Sequence, residues 1–282
     1  MSSQKKIAFQ GDPGANSHEA CRTYFPDYEA IPCATFDDAF AAVKSGACDL
    51  ALIPVENSIA GRVADVHHLL PSSGLKIIGE RFKPIHFQLM ANKGSTIEGL
   101  RTVTSMAIAL TQCRKVIRRL GLEPHPVYDT AAAARMLSEQ PDPTRAAIAP
   151  ALAAEIYGLD ILVRDVEDER HNTTRFLVMT GDANPPRPAF TDQCLTAFVF
   201  RVRNVPAALF KALGGFATNG VNMLKLESYM EGGSFSATVF YCEVEGRPED
   251  RGLALAFEEL GFFSERFEVL GVFPADPFRK RV

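Results

Sequence analysis

Two short clusters of polar side chains carry most of the chemistry that this 282-residue sequence offers. Glu56, Asn57 and Ser58 follow the apolar run 51–55, while residues 172–176 place an amide, two hydroxyls and a guanidinium before another apolar run. A guanidinium presents paired N–H donors that match the geometry of a carboxylate. The second cluster therefore suits an anionic carboxylate ligand. The alternative interpretation is that these polar residues are only the solvent-exposed beginning of a strand.

The first cluster also has two interpretations. Ser58 is a residue type that commonly caps helices, so it could cap the helix that we expect to follow it. Glu56 and Asn57 end a strand instead, and α/β proteins place ligand-contacting groups at the carboxyl ends of strands. Taken singly, Ser105 and Gln112, which flank or lie on a predicted helix, are more typical of structural positions.

Familiar catalytic and cofactor motifs are absent from the sequence. It contains no G-x-G-x-x-G, no G-x-x-x-x-G-K-[ST], no H-E-x-x-H and no G-x-S-x-G. The six cysteines form no C-x2-C zinc pattern. We therefore expect neither a cofactor nor a metal ion.

The polar clusters belong to a segment in which short strands alternate with helices. Strands are predicted over 6–10, 49–55, 75–79, 101–104, 145–149 and 161–166, and helices over 36–44, 106–120 and 130–139. This alternation predicts a parallel, layered α/β fold. Because segments 75–92 and 161–179 are long enough to pass between two lobes, we expect a ligand cleft between two α/β subdomains.

A proline-rich linker over 181–193 separates this segment from a different pattern. Beyond it, the sequence predicts a strand over 195–203, a helix over 206–218, a strand over 222–230, a hairpin turn at 231–233, a strand over 234–244, a helix over 248–260 and a strand over 267–273. The order β-α-β-β-α-β is that of a ferredoxin-like sandwich.

Composition restricts the classes of partner. The chain has 30 basic and 34 acidic residues, a formal charge of −4 and a pI near 5.9, so it lacks the positive field that nucleic-acid binding needs. No run of about 18 apolar residues could span a bilayer, and the opening residues lack the apolar stretch of a secretory signal. We expect a cytoplasmic protein that binds neither nucleic acid nor membrane.

Several of these segments together resemble the prephenate dehydratase family. The resemblance rests on the loop 7–17, on Pro54 to Ser58 (PVENS), on Ser105 followed by Gln112-Cys113, on Thr130 to Ala134, and on Thr174-Arg175-Phe176. The tail is similar to an ACT regulatory domain at residues 207–209 and 226–230. The match covers about residues 5–275 in the right order.

The resemblance implies a fold and an activity. It implies a two-lobed, periplasmic-binding-protein-like α/β catalytic domain over 5–180, with subdomains at about 5–80 plus 168–180 and at about 81–167. A ferredoxin-like βαββαβ ACT domain over 194–275 would follow the linker. The implied reaction converts prephenate to phenylpyruvate, water and carbon dioxide in phenylalanine biosynthesis. The alternatives are an arogenate dehydratase, a non-catalytic bilobal binding protein and a purely regulatory amino-acid sensor.

The resemblance also implies roles for individual residues. Thr174 would place its hydroxyl against the leaving group, and Arg175 would anchor a substrate carboxylate. The other implied catalytic residues are Glu56, Asn57, Ser105 and Gln112, and the other implied substrate-binding residues are Gly14, Ser58, Thr130, Asn172 and Phe176.

Regulation by L-phenylalanine is the last expectation drawn from the resemblance. The effector would bind at Asn204, Ala207, Ala208, Leu209, Glu227 and Ser228. Because such a site is shared between two chains, we expect a homodimer or a homotetramer. Three positions depart from the family pattern, with Met106-Ala107 in place of His-Pro, Tyr229-Met230 in place of Arg-Pro and Ala207 in place of glycine. We expect the last two to alter the strength of inhibition.

Overall fold

A computed structural model of the chain describes residues 4–189, 193–203, 205–230 and 237–280. The chain divides into two compact units, one formed by Met1–Val66 and Arg81–Phe176 and the other by His67–Glu80 and Leu177–Val282. Within the described ranges, no helix combines the length and the hydropathy that crossing a membrane requires.

The β-strands follow one another along the whole chain. In chain order they are β1 (Lys6–Gln10), β2 (Glu29–Cys33), β3 (Leu50–Asn57), β4 (Gly61–Arg62), β5 (Lys76–Pro84), β6 (Gln88–Ala91), β7 (Thr102–Met106), β8 (Glu123–Val127), β9 (Arg145–Ala149), β10 (Asp160–Val163), β11 (Thr173–Thr180), β12 (Cys194–Val202), β13 (Met223–Met230), β14 (Ala237–Glu245) and β15 (Ser264–Pro274).

Helices lie between most of these strands. They are α1 (Asn16–Tyr24), α2 (Phe36–Lys44), α3 (Ala64–Leu69), α4 (Ala107–Gln112), α5 (Arg114–Leu120), α6 (Thr130–Glu139), α7 (Ala151–Tyr157), α8 (Ala208–Thr218) and α9 (Arg251–Phe263). Short 3-10 helices cover Leu70–Ser72, Ile97–Gly99 and Pro277–Lys280.

Two mixed sheets form the α/β part of the fold. The first has the strand order β2-β1-β3-β11-β5, with β4 paired to β3, and β1 runs parallel to both β2 and β3. The second has the order β10-β6-β9-β7-β8, in which β7 is parallel to β8 and β9 while β6 is antiparallel to β9 and β10. The predicted α/β class is therefore confirmed, with antiparallel strands added to the expected parallel ones.

The third sheet is antiparallel and has the order β13-β14-β12-β15. With α8 and α9 it gives the predicted β-α-β-β-α-β order. Its core is aromatic, since the Phe198 ring lies 5.1 Å from Phe257, 5.6 Å from Phe216 and 5.6 Å from Phe267 between centroids. The predicted hairpin turn at 231–233 lies outside the described residues.

Two predicted elements are interrupted or cut short in the structure. The helix expected over 106–120 is divided into α4 and α5, because Cys113 has the non-helical dihedrals φ −122° and ψ 25°. The strand expected over 161–166 ends at Val163, and Asp165 then adopts a left-handed conformation with φ 49°. The first interruption leaves Gln112 at the end of α4, and the second places Asp165 just after the end of β10.

A buried ionic cluster fixes the C-terminal 3-10 helix within the second unit. Glu80 has no exposed surface, and it accepts hydrogen bonds from Arg279 Nε at 2.6 Å and Arg279 Nη2 at 2.9 Å. Arg279 Nη2 also lies 3.6 Å from Glu243 Oε2, and Tyr241 donates its hydroxyl proton to Glu243 Oε1 at 2.6 Å. Four side chains from three separate segments of the chain thereby form one polar network.

Candidate active site

Asn57, at the end of β3, has a side-chain amide whose orientation the structure determines. Its Oδ1 accepts the backbone N–H groups of Ile59 at 3.0 Å and Ala60 at 2.8 Å. Its Nδ2 must therefore be the donor that faces Asn172 Oδ1 at 2.7 Å and Thr174 Oγ1 at 3.0 Å. One amide thus contacts two of the four polar side chains of the second sequence cluster, those of Asn172 and Thr174.

The Thr174 hydroxyl is left with an available proton. A threonine hydroxyl has one proton to donate and two lone pairs, and Asn57 Nδ2 occupies one lone pair. Among the residues that the structure describes, none accepts the Thr174 proton. Because the side chain is half-buried, a bound molecule could accept that proton.

Gln112, at the end of α4, closes a triangle of amides with Asn57 and Asn172. Asn172 Nδ2 donates to Gln112 Oε1 at 3.1 Å, and Gln112 Nε2 lies 3.4 Å from Asn57 Oδ1. Gln112 and Asn172 are both buried. Because β3 belongs to the first sheet and α4 follows β7 of the second, the triangle links the two α/β lobes of the first unit.

Arg175 forms an ion pair with Glu56, with its Nη1 3.2 Å from Glu56 Oε2. Only 5% of the arginine side chain is exposed, against 37% for the glutamate, and the guanidinium lies 6.0 Å from the centroid of the Phe82 ring. The structure therefore does not leave this guanidinium open to the solvent, contrary to the expected anchor for a substrate carboxylate.

Ser58 does not cap a helix. The next helix, α3, begins only at Ala64. The Ser58 hydroxyl instead accepts the N–H of Thr173 at 2.9 Å and donates to the carbonyl of His171 at 2.9 Å. Ser58 thus fixes the start of β11, so the interpretation of this residue as a helix cap is wrong.

The backbone N–H groups that we expected to bind an anion already have hydrogen-bond partners within the protein. The Gly14 N–H donates to His18 Nδ1 at 3.0 Å, and burial lowers the pKa of His18, which favours the neutral ring that accepts this bond. At the start of α6, which begins at Thr130, the carboxylate of Asp129 accepts two N–H groups at 2.7 and 3.0 Å. Both positions therefore have a structural partner.

Gly14 has a second structural constraint. Its φ of +96° is left-handed, and a Cβ at this position would lie 2.8 Å from Ala153 Cα of α7. The hydroxyl of Tyr157, at the end of the same helix, donates to the Pro13 carbonyl at 2.8 Å. The loop after β1 therefore packs directly on the second lobe.

Two other expected site residues lie in the interior. Ser105 has no exposed surface and donates its hydroxyl proton to the Ile148 carbonyl at 2.6 Å. Phe176 is also completely buried. A substrate could not touch either side chain without rearrangement of the core, so we assign neither a contact with substrate.

A cavity of about 360 Å³ opens beside the amide triangle, in the first unit. Its lining combines apolar, amide and charged side chains and consists of Ile59, Ala60, Ile108, Thr111, Gln112, Arg114, Glu167, Asp168, Glu169 and Asn172. The two amides were expected from the sequence, whereas Arg114 was not. The signal available for it was its position directly after Gln112-Cys113, where α5 begins.

In the described part of the chain, one group of three side chains could hold a metal ion. The ligand atoms of His86, Asp165 and Glu167 lie within 4.8 Å of one another. Glu167 already binds His86 Nδ1 at 2.7 Å and the Phe87 N–H at 2.9 Å. These contacts satisfy the carboxylate, and we assign the group no catalytic step.

A second cavity, of about 530 Å³, lies in the second unit. It is lined by Val202, Arg203, Val205, Ala207, Ala208, Leu209, Phe210, Leu226, Ser228 and Phe240. Four of the six residues expected to bind an effector are in this lining. Glu227 is not in the lining, and its carboxylate lies 3.5 Å from Lys225 Nζ; Asn204 lies outside the described residues.

Comparison with known proteins decides the family. The family model described as prephenate dehydratase matches residues 7–184, which is more than half of the chain. The chain belongs to the prephenate dehydratase family. This assignment covers all the residues of the amide triangle as well as Thr174 and Arg175.

Relatives of this prephenate dehydratase family member extend the match to the full length. A bifunctional N-acyl-homoserine lactone acylase/prephenate dehydratase from Komagataeibacter europaeus is 50% identical over all of both chains. Arogenate dehydratase/prephenate dehydratase 2 from Arabidopsis thaliana is 36% identical over 97% of this chain and 74% of its own. A solved prephenate dehydratase from Arthrobacter aurescens, in complex with L-Phe, is 29% identical with a TM-score of 0.87 and covers 95% of this chain and 90% of its own.

Proposed function

We propose that this protein converts prephenate to phenylpyruvate, water and carbon dioxide. Membership of a dehydratase family supports the reaction class. The observation that carries the proposal is the Thr174 hydroxyl. Its oxygen accepts a hydrogen bond from Asn57 Nδ2 at 3.0 Å, and its proton remains available to a bound substrate. A dehydration needs such a donor at the leaving hydroxyl.

The chemistry places limited demands on the protein. As the bond between the ring and its carboxylate breaks, carbon dioxide leaves and the electron pair enters the ring. The ring becomes aromatic when the opposite C–O bond breaks, and the departing hydroxide needs one proton to become water. Thr174 donates a hydrogen bond to that oxygen. Because a threonine hydroxyl is a weak acid, a water or a neighbouring acid must deliver the net proton.

The Arg175–Glu56 pair supports the site indirectly. The guanidinium lies 3.2 Å from one carboxylate oxygen of Glu56, which is 37% exposed. Glu56 precedes Asn57 on β3, so a fixed Glu56 also fixes the strand end that orients Thr174. We propose Arg175 as a positioning residue and Glu56 as the group that passes the net proton to the leaving hydroxyl through a water molecule.

A direct assay tests the proposed reaction. The purified protein is incubated with prephenate, and phenylpyruvate is measured over time; a parallel reaction with arogenate is analysed for phenylalanine. We expect turnover of prephenate. Turnover of arogenate alone would show that arogenate, and not prephenate, is the substrate. Turnover of neither compound would refute the dehydratase proposal for this chain.

We further propose that L-phenylalanine binds the 530 Å³ cavity of the second unit and inhibits the enzyme. The support is a related prephenate dehydratase solved in complex with L-Phe, together with an apolar lining that includes Leu209 and Phe240. The left-handed turn at Ala207, with φ 63°, would present backbone groups to the amino acid. Sharing of the site between two chains would require at least a dimer.

Calorimetry with paired variants on one strand tests the effector proposal. Ser228 lines the cavity and Glu227 does not. We expect the intact wild-type protein and Glu227→Gln to release heat on binding L-phenylalanine, and Ser228→Phe, which fills the cavity, to release none. Equal binding by all three proteins would place the effector elsewhere, and sedimentation of the wild type reports its oligomeric state.

A second candidate function rests on a single comparison. The relative that is 50% identical over its full length is named as an N-acyl-homoserine lactone acylase as well as a prephenate dehydratase. Hydrolysis of an N-acyl-homoserine lactone to a fatty acid and homoserine lactone, measured by mass spectrometry, tests whether this chain shares the acylase activity. Loss of that hydrolysis in Thr174→Val would place both reactions at one site.

A further inference from the structure

Arg114 is a cation at the wall of the 360 Å³ cavity and is the first residue of α5. Its side chain is exposed, and no residue in the described part of the chain forms an ion pair or a side-chain hydrogen bond with its guanidinium. Gln112, two residues before it, belongs to the amide triangle that continues to Thr174. A free guanidinium therefore lines the same cavity as Gln112 and Asn172, two members of the amide triangle.

The carboxylates on the same wall already have partners. Glu167 binds His86 and the Phe87 N–H, and Asp168 accepts the Lys115 N–H at 3.0 Å. Lys115 Nζ is also 3.9 Å from Glu169 Oε1. Since the Arg175 guanidinium is paired with Glu56, Arg114 is the cation that remains available to a ligand in this cavity.

We infer that Arg114 binds the side-chain carboxylate of the substrate and thereby selects a keto acid over an amino acid. This inference rests on the proposed function. The ring carboxylate is the less suitable partner, because pairing its charge with a cation would stabilise the anion that must break down. The side-chain carboxylate does not react, so its binding holds the substrate without opposing the reaction.

The same guanidinium discriminates between the two candidate substrates by charge. Prephenate carries a neutral keto group beside the side-chain carboxylate, whereas arogenate carries an ammonium group at that position. A cation that contacts the carboxylate lies within a few ångströms of this ammonium, and like charges at such distances repel. Arg114 therefore favours prephenate, and an acidic residue in its place would favour arogenate.

Steady-state kinetics with both substrates test this role. We expect Arg114→Gln to raise the KM for prephenate about tenfold with kcat within about threefold, as removal of a carboxylate contact predicts. Arg114→Glu should shift the ratio of kcat/KM for prephenate to kcat/KM for arogenate by at least about tenfold toward arogenate. Arg114→Lys, which keeps the charge, should restore most of the affinity for prephenate.

A matched control lies on the same helix. Arg119 is also exposed and does not line the cavity, so Arg119→Glu changes the net charge equally and should alter the ratio by less than about twofold. If the wild type converts prephenate and Arg114→Glu leaves the ratio unchanged, the role of Arg114 is refuted while the proposed function stands. If the folded wild type converts neither substrate, the proposed function fails first and this inference fails with it.

Discussion

Replacement of Thr174 by valine removes the hydroxyl and preserves the shape of the side chain. If this hydroxyl assists the leaving group, its loss should lower kcat by about 100- to 10,000-fold, the usual contribution of a general acid. Such a decrease corresponds to about 2.7–5.4 kcal/mol of activation free energy. Initial rates of phenylpyruvate formation from prephenate measure it, and Thr174→Ser, which keeps a hydroxyl, should recover much of the rate.

The same substitution should change stability only slightly. Asn57 Nδ2 keeps Asn172 Oδ1 at 2.7 Å and the Thr173 carbonyl at 3.3 Å as acceptors, so no buried donor is left without a partner. The loss of one hydrogen bond costs about 1 kcal/mol, which lowers the melting temperature by about 2–4 °C at most. A large fall in the melting temperature would mean that the loss of rate reflects unfolding.

Thr180 provides the matched control at the other end of β11. Its Oγ1 also accepts one N–H, from Asp182 at 3.2 Å, so Thr180→Val removes the same group and one comparable hydrogen bond. We expect this variant to keep kcat within about twofold of the wild-type value. If Thr174→Val is as active as Thr180→Val, Thr174 does not take part in the reaction.

Three further predictions follow from described contacts. Arg175→Lys and Glu56→Gln should each lower kcat/KM, and a double-mutant cycle should give a coupling energy of about 1 kcal/mol or more because the side chains are paired; additive effects would contradict the pairing. Burial raises the pKa of Asp129, so the folded protein loses stability as the pH rises through that pKa and the carboxyl group ionises. Asp129→Asn keeps the helix cap without the charge, so its melting temperature at pH 7 should be no lower than that of the wild type. Any excess in the melting temperature of the variant should become smaller toward about pH 4, where the wild-type carboxyl group is protonated. Ala207→Gly should relieve the left-handed φ of 63° and stabilise the protein by about 0.5–1 kcal/mol in urea denaturation, whereas destabilisation would show that the alanine methyl group contributes packing.

Local signals in the sequence were sufficient to predict several elements. Helices α2 and α6 have the predicted bounds, because an apolar face coincides with a cap at each start, Thr35 for α2 and Asp129 for α6. Strands β2 and β8 were not predicted. Both contain proline, which lacks a backbone donor and is tolerated in strands at the edge of a sheet, and both strands are at such edges.

The arrangement of the candidate site could be predicted only in part. A family resemblance pointed to Asn57, Gln112, Asn172 and Thr174, but their hydrogen bonds join residues 55 to 117 positions apart. No local pattern encodes contacts of that separation. The pairing of Arg175 with Glu56 was missed for the same reason, since it depends on β3 lying next to β11.

The buried Glu80–Arg279 pair makes the C-terminal residues a point of proteolytic vulnerability. Proteolytic cleavage that separated Arg279 from the rest of the chain would delete the guanidinium that donates two hydrogen bonds to a carboxylate with no exposed surface. Breaking a buried ion pair from one side typically costs about 3–5 kcal/mol, a large share of the about 5–15 kcal/mol that keeps a domain folded. Such a cleavage would therefore raise the unfolded population and shorten the lifetime of the protein in a cell.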